Sequence, residues 1–146
     1  MTNRETLLAL ADRVEAMDGP DRAVDAEIAQ AIGMCLHPNQ TRNGAQSDWG
    51  YDCDDCGANS WGSRSRDGFN RRLSDPNPRF TSSLDAAMTL CPDGFCVWAM
   101  GQIPDDCCFY AELWRDGSTK SEGEIRSSSL AQALVAACLR AQAGGE

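Results

Sequence analysis

"FCVWAMGQIPDDCCFYAELWRDG", residues 95–117, decides the fold class of this chain. Two runs rich in aromatic and apolar residues, 95–103 and 107–114, have the length and composition of strands. Pro104-Asp105-Asp106 supplies the turn between them, and Asp116-Gly117 turns the chain out of the second. A polar third strand over Ser121–Arg126 follows and suits an edge better than a centre.

Helix signals flank this sheet on both sides in the sequence. Thr2 and Glu5 have the spacing of a capping box, in which each side chain satisfies a free backbone N–H of the first turn. Leu7, Leu10, Val14 and Met17 recur at helical spacing until Asp18-Gly19-Pro20 ends the run. Asp21 can cap a second helix, with Val24, Ile28 and Ile32 on one face and Gly33 as its stop. Further on, Ser82 with Asp85 predicts a cap for a helix carrying Leu84, Ala87 and Met88, closed by Pro92. Ser128 or Ser129 caps the last helix, whose buried stripe is Leu130, Leu134, Ala137, Cys138 and Ala141. The order predicts an α+β domain, a small antiparallel sheet sandwiched by helices. The chain of 146 residues fits a single domain. Its parts are an N-terminal helical hairpin over 1–33, an irregular segment over 34–80 and an α+β core over 81–146.

The irregular segment needs an explanation. It is rich in Gly, Asn, Ser, Asp, Arg and Pro with no sustained apolar period, and structureless loops beyond about 15 residues are uncommon in compact domains. Within it "MCLHPN" supplies Cys35 and His37, and "YDCDDCG" supplies Cys53 and Cys56. The pattern C-x-H-x15-C-x2-C-G offers three thiols and one imidazole in two short-spaced pairs, the donor set of a tetrahedral Zn²⁺ site. Gly57 after Cys56 permits the tight turn that lets N–H groups support the sulfurs. Bound Zn²⁺ contributes on the order of 10 kcal/mol to folding such a segment, which would order it without an apolar core.

Other roles for these thiols stay open at this level: unliganded surface cysteines, a redox pair or a disulfide. Redox chemistry is disfavoured because Asp52, Asp54 and Asp55 surround the thiols with negative charge, which opposes thiolate formation. A cation reverses that effect. A catalytic metal would need an open position, available only if His37 were not a ligand and water or an aspartate took its place. Trp49 and Trp61 flank the second pair and can shield it or pack elsewhere. Cys96, Cys107 and Cys108 fall in strand signals and Cys138 on an apolar helix face, where a thiol behaves as a small hydrophobe.

Charge is distributed unevenly. The net charge is −9, yet residues 63–80 hold Arg64, Arg66, Arg71, Arg72 and Arg79 against only Asp67 and Asp75. An acidic body is repelled by nucleic-acid phosphate and suits a basic partner surface. The arginine run, with Phe69 inside it, supports an alternative reading as a single-stranded nucleic-acid contact through Arg64, Arg66, Arg71 and Arg72. A solvated loop paired with the acidic body is the plainer account. No phosphate-cradling glycine motif or nucleophile elbow occurs, so an enzyme, such as a zinc-dependent hydrolase, has no candidate catalytic residues in the sequence. No secretory pattern opens the chain and no run reaches the apolar length of a membrane span, so a cytoplasmic protein is expected.

The stretches "VDAEIAQAIG", "FTSSLDAAMTLCPDG", "AELWRDG" and "SSLAQALVAACLRA", in that order, resemble the phage ABA-sandwich domain family, small proteins of alphaproteobacterial phages and prophages. The resemblance covers roughly 20–33 and 80–143. It implies a compact α+β sandwich with helices on both sides of a small sheet, and no reaction. Residues 35–62 separately resemble the C-x-H…C-x-x-C-G zinc knuckles of many small phage proteins, with Cys35, His37, Cys53 and Cys56 matching that motif. The expectation that follows is a non-enzymatic phage accessory protein with structural zinc in the bacterial host cytoplasm. It would act by binding a host or phage macromolecule, with inhibition of a bacterial defence system as one form of that role.

Overall fold

The computed structural model describes residues 2–42, 51–58, 78–104, 108–118 and 121–144. Among the described residues, four helices and two antiparallel sheets make a mixed α+β architecture. The helices are α1 (Asn3–Ala16), α2 (Arg22–Ala31), α3 (Leu84–Met88) and α4 (Leu130–Gly144). Strands β1 (Gln40–Arg42) and β2 (Tyr51–Cys53) form a ribbon; β3 (Phe95–Gln102), β4 (Phe109–Arg115) and β5 (Ser121–Ser127) form a sheet in that order. The chain divides into two compact units, one of residues 1–25 with 79–146 and the other of residues 26–78.

In the first unit α4 is the central element. Its side chains from Ala131 to Leu139 are all buried, together with Ala141 and Ala143, so the expected stripe widens to the whole circumference. The cause is its position: α4 packs against β4 and β5 on one side and against α1 and α3 on others. A helix hydrophobic all round is a buried helix, and its many alanines let neighbours approach closely. Leu134, Val135 and Leu139, each fully buried, contribute about 1.5–3 kcal/mol apiece. Gln132 is buried among them, and both ends of its amide are bonded. Its Nε2 donates to the Gly19 carbonyl at 2.9 Å and its Oε1 lies 2.8 Å from the Ser128 hydroxyl. Ser129 caps the helix, its Oγ accepting the Gln132 N–H.

The other helix signals hold with small shifts. The Thr2–Glu5 capping box forms with both reciprocal bonds. Leu7, Leu10 and Val14 are buried, while Met17 is the C-cap residue. Asp21 Oδ1 accepts the N–H groups of Ala23 and Val24, and α2 stops before Gly33, at φ 80°. Ser83 rather than Ser82 caps α3, because Ser82 and Ser83 both donate their N–H to the Arg79 carbonyl and only Ser83 Oγ reaches the Ala86 N–H. Two polar three-residue strands, β1 and β2, lie in the segment the sequence leaves irregular. Neither has an apolar alternation that would betray it.

The strand pairing also matches its signal, with two irregularities. A bulge between Val97 and Ala99 adds one residue to β3, and a second shift falls where β5 pairs with Glu112 and Trp114. Ala111 and Leu113 turn to the buried side. Trp98 stacks on Trp114 at a centroid distance of 4.0 Å yet stays 58 % exposed.

One carboxylate fixes where the chain leaves and re-enters this unit. Asp25 is 0 % exposed; it accepts the Thr81 N–H at 2.8 Å and pairs with Arg22 at 2.9 Å. Thr81 returns the bond, its Oγ1 accepting the Asp21 N–H at 3.1 Å. Replacing Asp25 by Ala would strand a buried donor, so Asp25→Ala is expected to cost about 2–3 kcal/mol. A urea midpoint equal to that of the unmodified protein would refute this account of the clasp.

Candidate metal centre

Cys35, His37, Cys53 and Cys56 come together from two stretches of chain. Each offers one ligand atom, and these four atoms lie within 4.8 Å of one another. Among the described residues this is the only such cluster. Cys35 and His37 follow α2 directly; Cys53 ends β2, and Cys56 closes the turn after it. The β1–β2 ribbon, paired Gln40 to Cys53 and Arg42 to Tyr51, brings the two stretches into register.

Backbone geometry at each pair serves the cluster. His37 adopts φ 55°, a left-handed conformation in which histidine is enriched relative to most side chains, and its N–H donates to Cys35 Sγ at 3.3 Å. Gly57 adopts φ 76°, where a Cβ would be strained, and its N–H donates to the Cys53 carbonyl at 2.8 Å. Cys53 in turn donates its N–H to the Ala58 carbonyl at 2.8 Å. This is the knuckle that the C-x2-C-G spacing predicts. The buried cluster here consists of Cys53, Cys56 and Ala58 with Cys35 against them, so sulfur stands where a core would put aliphatic carbon.

The separations suit a tetrahedral ion. Metal–sulfur bonds of about 2.3 Å and metal–nitrogen bonds of about 2.0 Å at tetrahedral angles hold sulfurs about 3.8 Å apart and sulfur about 3.5 Å from nitrogen. Cys35 Sγ and Cys53 Sγ are 3.6 Å apart, and Cys56 Sγ lies 3.4 Å from His37 Nδ1. A disulfide would need about 2.05 Å, and all three cysteines are free thiols. His37 is 3 % exposed with Nδ1 toward the sulfurs, so Nδ1 is the nitrogen placed to ligate.

Electrostatics set the order of ionisation. Burial is the largest influence on all three thiols and pushes each up. It prevails at Cys35 despite the His37 N–H, and at Cys56, which reaches about 11. At Cys53 the N–H groups of Cys56 and Asp55, with hydrogen bonds from the neighbouring thiols, outweigh burial and bring it below the ordinary thiol value. Cys53 is therefore the first of the three to ionise, and a cation favours the thiolate at the other two.

The aspartates between the cysteines brace the loop instead of joining the cluster. Asp54 accepts from Thr41 Oγ1 at 2.7 Å, Asp55 accepts from Asn39 Nδ2 at 3.0 Å, and the Asp54 N–H donates to the Asn39 carbonyl at 2.9 Å. Asn39 and Thr41 are thus supporting residues that spacing alone does not single out. Arg64, Arg66, Arg71 and Arg72, the nucleic-acid candidates, lie outside the described residues, as do Trp49, Trp61, Phe69 and Cys107. Cys138 is buried in α4 and burial raises its thiol, as it does that of Cys91; neither belongs to a ligand cluster among the described residues.

Metal binding releases every proton still held by the thiols, so affinity must fall as pH falls. Cys35 and Cys56, both held above the ordinary thiol value, each give up a proton on binding. A Co²⁺ titration read by its sulfur charge-transfer bands should weaken by at least about a hundredfold per pH unit lowered. A pH-independent affinity would show that the thiols are not the ligands. No protein-family model, curated protein or solved structure matches the chain.

Proposed function

We propose that the four-residue cluster holds a structural Zn²⁺ and that the chain is a phage- or prophage-encoded accessory protein that binds a macromolecule instead of transforming one. The observation that carries this reading is the donor set: three cysteines and one histidine within 4.8 Å supply four protein ligands. A tetrahedral zinc with four protein ligands has no position for water or substrate, which sets a structural site apart from a catalytic one. The hydrolase alternative would need one of the four to stand aside, and His37, the only non-sulfur donor, is buried against Cys56.

Three thiolates with a neutral imidazole give Zn²⁺ an inner shell near −1, tolerable in a partly buried site whose sulfurs take backbone N–H bonds. Zinc then supplies order to a unit whose buried cluster around the site is mostly sulfur. The net charge of −9 suits a basic partner, and no helix among the described residues is long and apolar enough to cross a membrane. The phage ABA-sandwich resemblance supports a phage origin, and with it action in a bacterial host cytoplasm. Inhibition of a host defence protein is the form of this role that the small size and acidity favour.

Metal analysis of the purified protein should find one zinc per chain, lost in Cys53→Ser and in His37→Ala. Protein without stoichiometric metal under reducing conditions would end the proposal. The Co²⁺-substituted protein should keep its visible spectrum when an exogenous thiol or azide is added; a spectral change would reveal an open coordination position and favour the enzyme.

A further inference from the structure

The face of the β3–β4–β5 sheet turned away from α4 carries side chains that folding does not explain. Register places Glu112 directly opposite Glu124 across β4 and β5. Like charges directly opposite are destabilising. Arg126 bonds Glu124 at 2.8 Å. Glu112 receives the Trp114 indole N–H at 3.3 Å and, among the described residues, no basic side chain.

Aromatic rings surround this carboxylate. Trp114 and Tyr110 occupy the same-face positions on either side of Glu112 in β4. Across the strand pair, Glu112 meets Ala99, and Tyr110 meets Gly101. A Cβ at Gly101 would lie 3.4 Å from Tyr110 Cε1, so the tyrosine ring lies over the glycine. Trp98, the extra residue of the bulge before Ala99, lies stacked on Trp114 and largely exposed. These neighbouring positions form one slot on the sheet face, with the Trp98–Trp114 stack on one side of the Glu112 carboxylate and Tyr110, its ring over Gly101, on the other.

We propose that this slot receives an arginine or lysine side chain from a basic segment of a partner protein. A cation over an indole or phenol face is attracted by the ring quadrupole, most strongly for tryptophan, and a carboxylate within the slot adds direct charge pairing. The charge of the chain selects this occupant. At −9 it draws a basic segment toward the slot, and it repels both nucleic acid and a second copy of itself. The assignment rests on the macromolecule-binding reading above and names the chemistry of the partner.

The test is a titration of the full zinc-loaded chain, followed by tryptophan fluorescence, with a ten-residue peptide of alternating arginine and glycine. The comparison peptide replaces each arginine by citrulline, which keeps the shape and removes the charge. The arginine peptide should bind at least about tenfold more tightly than the citrulline peptide. Glu112→Gln and Trp98→Ala should each weaken it by about fivefold or more, with zinc content unchanged. Glu112→Gln should also leave the melting temperature equal or raised, since it relieves the Glu112–Glu124 repulsion; a merely structural glutamate would lower it. This variant keeps the question decidable should Trp98→Ala fail to fold.

Equal affinity for the two peptides, or wild-type affinity in both variants, would overturn the slot. So would a concentration-dependent dimer in sedimentation that Trp98→Ala abolishes, which would make a second copy the occupant. Any of these results with one zinc still bound per chain leaves the structural-zinc reading standing, whereas loss of zinc stoichiometry in the unmodified protein is the failure of that reading alone.

Discussion

A single buried carboxylate governs how this chain can carry two units. The path leaves the α+β unit after Asp25 and returns at Arg79, and Asp25 bonds the Thr81 N–H directly beside that return. Closing a long loop costs entropy that grows only slowly with its length, so what matters is that the closure be held firmly at one place. Asp25, Thr81 and Asp21 do this with reciprocal bonds, and Arg22 supplies the countercharge at the half-exposed rim. A buried carboxylate lacking either partner would be costly, which ties its burial to the closed arrangement.

The segment so closed uses different physics from the unit that carries it. In the α+β unit, leucine, valine and alanine side chains of α4 are removed from water against the sheet and two helices. Among the described residues, the buried hydrophobic cluster at this site is Cys53, Cys56 and Ala58, with Cys35 packed against it. Burial of thiols gains less than burial of leucine, and here it opposes ionisation at all three and prevails at two. Those costs are reversed by a cation, which stabilises all three thiolates at once. The left-handed backbone at His37 points the same way, because local conformational cost is tolerated where ligand direction demands it.

Legibility in the sequence followed the strength of the local physics. The capping box at Thr2, the apolar strands 95–102 and 109–115 and the alanine-rich last helix were readable because each signal is short-range and repeated. The cluster was readable because two short-spaced pairs contain the only histidine of the chain. The ribbon β1–β2 was not, since its strands are three residues long and polar and exist through pairing with one another. Nor were Asn39 and Thr41, whose role depends on a fold that brings them to Asp55 and Asp54. The Asp25 clasp was hidden for the same reason: residue 25 and residue 81 have no sequence relation, and aspartate within a helical pattern reads as a solvent-facing position. The α4 stripe was understated because periodicity cannot tell a helix covered on one side from one covered on three.

The outer face of the sheet gathers several departures from local rules on one patch. A bulge interrupts β3, two glutamates oppose each other across β4 and β5, and a tryptophan stands largely in water. Each feature costs stability separately. The bulge forfeits a regular pair, the glutamates repel, and the exposed indole keeps apolar surface hydrated. Their coincidence on neighbouring positions of one patch is what folding alone leaves unaccounted for. Sequences concentrate such departures where something other than folding selects them, and a bulge is a common device for re-aiming one side chain. Here the bulged residue is Trp98, and it stacks on Trp114, whose N–H bonds the one carboxylate of the face that lacks a cation among the described residues.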